Sequence, residues 1–132
     1  MRTHSLSWCA AAVALLLRGG LADMTGEWSV VGTFDRASGR AGPERRVELV
    51  CAFEQHDRSL VGTCRPANGP EGAPVSGTAR ETTVEWSFEV APNAAAARQT
   101  ATFRGTLDSR QSRVNGTFRF GTTRGTFRAT KQ

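Results

Sequence analysis

The chain has 132 residues, a formal net charge of +5, three cysteines, two histidines and no tyrosine. That length leaves room for one small domain, with no apolar run reaching the roughly 20 residues of a membrane-spanning helix. A metal centre built on the cysteines is excluded in practice, because Cys51, Cys64 and His56 offer too few ligands.

Residues 1–22 read as a secretory signal peptide. Arg2 opens it, Trp8 to Leu17 is an unbroken apolar run, and Gly20-Leu21-Ala22 supplies the small residues of a cleavage site. A buried N-terminal helix is the alternative. Cys9 lies inside the apolar run, whereas a lipid-modified cysteine would follow it. Cleavage after Ala22 leaves residues 23–132 as a single exported domain, periplasmic or secreted.

The remainder alternates with period two, and Val84-Glu85-Trp86-Ser87-Phe88-Glu89-Val90 is the clearest example. Eight strands are predicted near 26–34, 45–55, 59–65, 74–80, 83–91, 99–108, 112–120 and 123–130. Turn-rich stretches such as Pro66-Ala67-Asn68-Gly69-Pro70 and Gly121-Thr122 separate them. No segment carries a helical period, and Ala94–Ala97 is too short to nucleate a helix.

Gly-Thr followed by a core-type residue occurs six times, starting at Gly32, Gly62, Gly77, Gly105, Gly116 and Gly125. Each glycine falls on the face that collects all seven phenylalanines, Trp28, Trp86, Cys51 and Cys64. Val30, Val47, Leu49, Leu60, Val75, Val84, Val90, Leu107 and Val114 share that face. Thr, Ser, Arg and Glu dominate the other. Alternation of small and large inward residues, with glycines where strands bend, suits a small closed barrel. The expected fold is therefore all-β, an eight-stranded antiparallel up-and-down barrel, with a seven-stranded sandwich as the rival.

Once Cys9 leaves with the signal peptide, Cys51 and Cys64 remain. A hairpin turning at Asp57-Arg58 sets these two residues directly opposite each other, which predicts a cross-strand disulfide. Two buried free thiols are the alternative.

Thr25-Gly26-Glu27-Trp28, Ser59-Leu60-Val61-Gly62-Thr63, Pro74-Val75-Ser76-Gly77-Thr78 and Val84-Glu85-Trp86-Ser87-Phe88 follow one another as in avidin-like barrels. Gly125-Thr126-Phe127-Arg128-Ala129-Thr130-Lys131 resembles the last strand of small exported, lipocalin-like bacterial barrels. The resemblance implies the same closed barrel and a ligand-binding role. It does not bring biotin, because Val30 stands where the family has a polar pocket residue and Cys64 where it has a tyrosine. Trp86 resembles one of the family's pocket tryptophans. A second comparison is the exported protease-inhibitor barrel, which threads an N-terminal arm into its enzyme. Here only Asp23-Met24-Thr25 precede the first strand, a short arm for that task.

Catalytic parts are sparse. His56 sits at a turn, Glu48, Glu54, Glu85 and Glu89 point outward, and no serine stands in a nucleophile elbow. The reading is a non-catalytic protein without a cofactor, carrying an apolar ligand site near Trp28, Trp86 and Phe88; core filling is the competing role for these rings. Charge adds a second candidate. Eight basic residues lie in 98–132 against Asp108 alone. Arg104, Arg113, Arg119, Arg124 and Arg128 are expected to project outward among threonines, as a surface for a lipopolysaccharide head group, an acidic polysaccharide or an acidic protein. A plain solvated face is the alternative, and the lack of interleaved aromatics argues against nucleic acid. Val31, Val50, Ala52 and Val61 point outward elsewhere, as scattered valines or a patch for self-association.

Overall fold

A computed structural model describes residues 22–35, 45–69, 72–90 and 98–132. Residues 1–21, which the sequence reading assigns to a signal peptide and which include Cys9, lie outside these residues. The alternating segments form eight strands: β1 (Gly26–Phe34), β2 (Arg46–His56), β3 (Ser59–Pro66), β4 (Ala73–Arg80), β5 (Thr83–Val90), β6 (Gln99–Leu107), β7 (Arg113–Phe120) and β8 (Thr123–Lys131). Each pairs antiparallel with the next. Pairing of β1 with β8, from Trp28↔Lys131 to Phe34↔Gly125, closes the sheet into a barrel. Closure leaves no edge strand to template aggregation.

Two-residue turns set the register. Asp57, Glu81 and Gly121 each open one with a positive φ of 58°, 52° and 60°. The first of these turns brings Cys51 opposite Cys64, and the disulfide joins them with their Cα atoms 4.0 Å apart. Between β6 and β7 the turn is organised by Asp108. Its carboxylate accepts hydrogen bonds from the backbone N–H groups of Ser112 and Arg113 at 2.9 and 3.1 Å.

Register also explains the repeated glycines. Gly32 faces Phe127, Gly62 faces Phe53, Gly77 faces Trp86, Gly125 faces Phe118, and Gly105 and Gly116 face each other. Among the described residues none of the six has a positive φ, so their backbone is one that any residue adopts. The requirement is steric. A Cβ on Gly116 would run into the carbonyl oxygen of Arg104 and the Cα of Gly105, and one on Gly125 would occupy the place of the Phe118 ring.

The interior is a winding aromatic row. Trp86, Phe103 and Phe118 occupy paired positions on β5, β6 and β7, so their rings stack face to face, 5.4 and 5.2 Å between centroids. Phe127, paired with Gly116 across β7 and β8, stands edge-on to both Trp86 and Phe103. Offset and edge-to-face contacts of this kind add to the hydrophobic gain of burying the rings. No polar or charged residue is buried among the described residues.

Candidate functional site

The up-and-down path places the chain termini and the turns at 57–58, 81–82 and 108–112 at one end of the barrel. The connections after β1, β3, β5 and β7 lie at the other. The two ends differ in kind.

The terminal end is sealed. Residues 22–25 fold back into its mouth, with Ala22 7 % and Met24 0 % exposed. Gln55 ties them there: its side-chain oxygen accepts from Met24 N–H at 2.8 Å, and its Nε2 donates to the Ala22 and Asp57 carbonyls at 2.7 and 2.8 Å. Trp28 completes the plug by donating from Nε1 to the Met24 carbonyl at 2.9 Å. The Lys131 ammonium lies 6.0 Å from the centre of the Trp28 ring, on the outer limit of a cation–π contact. Met24, in the segment too short to serve as an inhibitory arm, is therefore part of this barrel's own core. The segment's apolar residues continue the inward parity of Trp28 and Val30, a signal readable in the sequence.

The loop end is rimmed by apolar side chains that are only partly buried: Phe34, Val47, Ala73, Val90 and Phe120. Each is the first, second or last residue of its strand at that end. The alternation placed four of these five on the core face. They do face inward, and among the described residues no further layer covers them. Below the rim, Phe88 is 8 % exposed and shares a cross-strand row with Ala101 and Phe120. Phe88 stacks on Phe103 at 5.9 Å and Phe103 on Trp86. Phe34 meets Phe118 edge-on at 5.0 Å. Aromatic rings thus run without a break from the rim to the centre of the barrel.

Of the three residues expected at a ligand site, Trp86 and Phe88 are brought together on Phe103, while Trp28 serves the opposite, sealed end. The two tryptophans also differ in their polar atoms. Trp28 Nε1 is hydrogen-bonded; Trp86 Nε1 is fully buried without a partner. An unpaired buried donor costs about 1–3 kcal/mol, so this atom calls for an acceptor.

Outside the barrel, Arg104, Arg113, Arg119, Arg124 and Arg128 are all exposed. Arg104 approaches Glu85 at 3.9 Å, and Arg128 Nε donates to Asn115 Oδ1 at 3.4 Å. Arg119 and Arg124 face each other directly across β7 and β8, and neither makes an ion pair among the described residues. The outward valines do not merge into one patch. Val61, 43 % exposed, has Glu54 and Ser76 as cross-strand neighbours, and Val31 has Glu48 and Arg128. His56 pairs with Glu54 at 3.1 Å on the exposed surface. No group of three potential metal ligands occurs among the described residues.

Comparison with protein-family models and with curated proteins finds no match to this chain; the placement of these side chains carries what can be said of its role.

Proposed function

We propose that the protein is an exported, non-catalytic binding barrel that takes a small, largely apolar molecule through its loop end. The observation that carries this reading is the contrast between the two ends, one plugged by its own chain and the other rimmed by half-buried apolar side chains. The aromatic row leading inward offers such a molecule stacking surfaces, and small-molecule sites are characteristically apolar with a few polar groups that fix orientation. The Cys51–Cys64 disulfide and the leader-like N-terminus support export, since disulfides persist in oxidising compartments. The resemblance to avidin-like barrels supports a carrier role without biotin.

Titration with a neutral lipophilic fluorophore such as N-phenyl-1-naphthylamine tests the reading. Saturable binding is expected, reduced at least about tenfold by Val90→Glu or Phe120→Glu, because a charge then stands at the entrance to an apolar site. Binding that survives both substitutions unchanged would remove the loop end from consideration.

A further inference from the structure

The outer face of β1, β8, β7 and β6 carries a second feature, independent of the barrel's interior. Two shallow depressions adjoin there and share Thr126. One is lined by Thr33, Arg46, Asn115 and Arg128, the other by Thr102, Arg104, Thr117, Arg119 and Arg124. Strand register turns them into one track. Arg46 pairs with Thr33, Thr33 with Thr126, Thr126 with Thr117 and Thr117 with Arg104. Three hydroxyls in line are therefore flanked by a guanidinium at each end. Four inter-strand steps make the track about 19 Å long.

Charge on this track is one-sided. Glu48, 3.7 Å from Arg46, and Glu85, 3.9 Å from Arg104, mark its two limits. Among the described residues Asp35 is the one carboxylate lining it, at the loop-end margin, where its backbone N–H donates to the Arg124 carbonyl at 2.8 Å. Between these limits Arg119 stands directly opposite Arg124. Like charges in that position destabilise a sheet, and an anion lying between them turns the penalty into two charge-assisted hydrogen bonds.

We infer that this track binds an acidic polysaccharide, a chain of sugars bearing carboxylate or sulfate groups. Threonine hydroxyls both donate and accept, as sugar hydroxyls do, while the arginines take the anionic substituents in a planar, two-pronged geometry. Nucleic acid fits less well, because Phe118 and Phe127 turn inward and no aromatic ring on this face is offered to bases. An acidic protein fits less well too, because among the described residues the half-buried Val31 is the only aliphatic side chain lining the track, and no aromatic side chain on it is exposed to anchor a partner.

The test measures binding of the protein to dextran sulfate and polygalacturonate at physiological salt, beside neutral dextran, poly-glutamate and single-stranded DNA. Both acidic polysaccharides should bind and neutral dextran should not. Arg119→Ser/Arg124→Ser should weaken binding by about tenfold or more, the loss expected for charge-assisted hydrogen bonds. Thr117→Val/Thr126→Val, which leaves the charge intact, should weaken the polysaccharides several-fold and leave poly-glutamate unaffected. Arg58→Ser/Arg80→Ser removes the same charge away from the track and should change binding less than about twofold, as screened distant charges do. Equal losses in the two arginine pairs would overturn the inference by reducing it to bulk charge. Stronger binding of poly-glutamate or DNA, or indifference to loss of the two hydroxyls, would overturn the assignment to polysaccharide. None of these readouts depends on whether the interior holds a ligand.

Discussion

Phe103 is the keystone of the aromatic row, and replacing it with alanine tests whether that row is packed. Its ring is 2 % exposed and lies 5.4, 5.9, 5.2 and 5.2 Å from the rings of Trp86, Phe88, Phe118 and Phe127. Four rings held by three strands of a closed sheet cannot collapse onto the space left behind, so the cost belongs within the Phe→Ala range, about 4 kcal/mol. For a domain whose total stability is about 5–15 kcal/mol, that is a large fraction. With a urea m-value of roughly 1.5 kcal/mol per molar, the unfolding midpoint should fall by about 2.5–3 M. The assay is equilibrium urea unfolding followed by tryptophan emission, with Phe120→Ala at the rim as the comparison, expected to lose about half as much. A loss below about 1.5 kcal/mol for Phe103→Ala would mean that the rings are not in mutual contact, and the description of a packed aromatic row would be wrong.

Reduction of the Cys51–Cys64 disulfide should lower stability by about 3 kcal/mol, the entropy of closing a short loop in the unfolded chain, read as a shift in the urea midpoint with and without reductant. Gly116→Ala should cost at least about 2 kcal/mol, because its Cβ meets neighbouring-strand backbone, whereas Thr117→Ala on the exposed side should stay within about 0.5 kcal/mol. Asp108 is held below the ordinary carboxylate range, chiefly by the backbone N–H of Ser112 and also by that of Arg113. A depressed folded-state pKa contributes stability above the unfolded pKa, and that contribution disappears as pH falls through the folded one. Asp108→Asn should therefore destabilise the protein at neutral pH and converge on the unmodified protein in acid. A constant difference at every pH would count against the assignment.

Much of the barrel can be read from the chain because the period of a strand is two and the turns are short. Once Asp57-Arg58 and Gly121-Thr122 are taken as turns, Cys51↔Cys64 and Arg119↔Arg124 follow by counting. Three features are harder to see. Ala101 and Ala129 are buried, but alanine is too small to stand out in a hydrophobic pattern. The plug depends on Gln55, a polar residue inside a strand, whose side chain turns to hold Ala22 and Met24; alternation assigns a face but not a hydrogen-bond partner. The repeated glycines stand out in the sequence, but what they make room for, neighbouring backbone and rings, depends on register and packing. At the candidate site, Trp86 and Phe88 share a face and lie two residues apart, so their joint approach to Phe103 was within reach of the pattern. The different fate of Trp28 was not, because only the folded-back segment engages its N–H.

The most direct test of the binding role uses the two tryptophans separately in protein produced without residues 1–21, which removes Trp8. Trp28→Phe leaves Trp86 as the sole reporter, and Trp86→Phe leaves Trp28. Titrated with N-phenyl-1-naphthylamine, the protein carrying only Trp86 should show saturable quenching with energy transfer to the probe, and Phe120→Glu should abolish it. A response confined to Trp28, or none from either tryptophan, would contradict entry of an apolar ligand through the loop end.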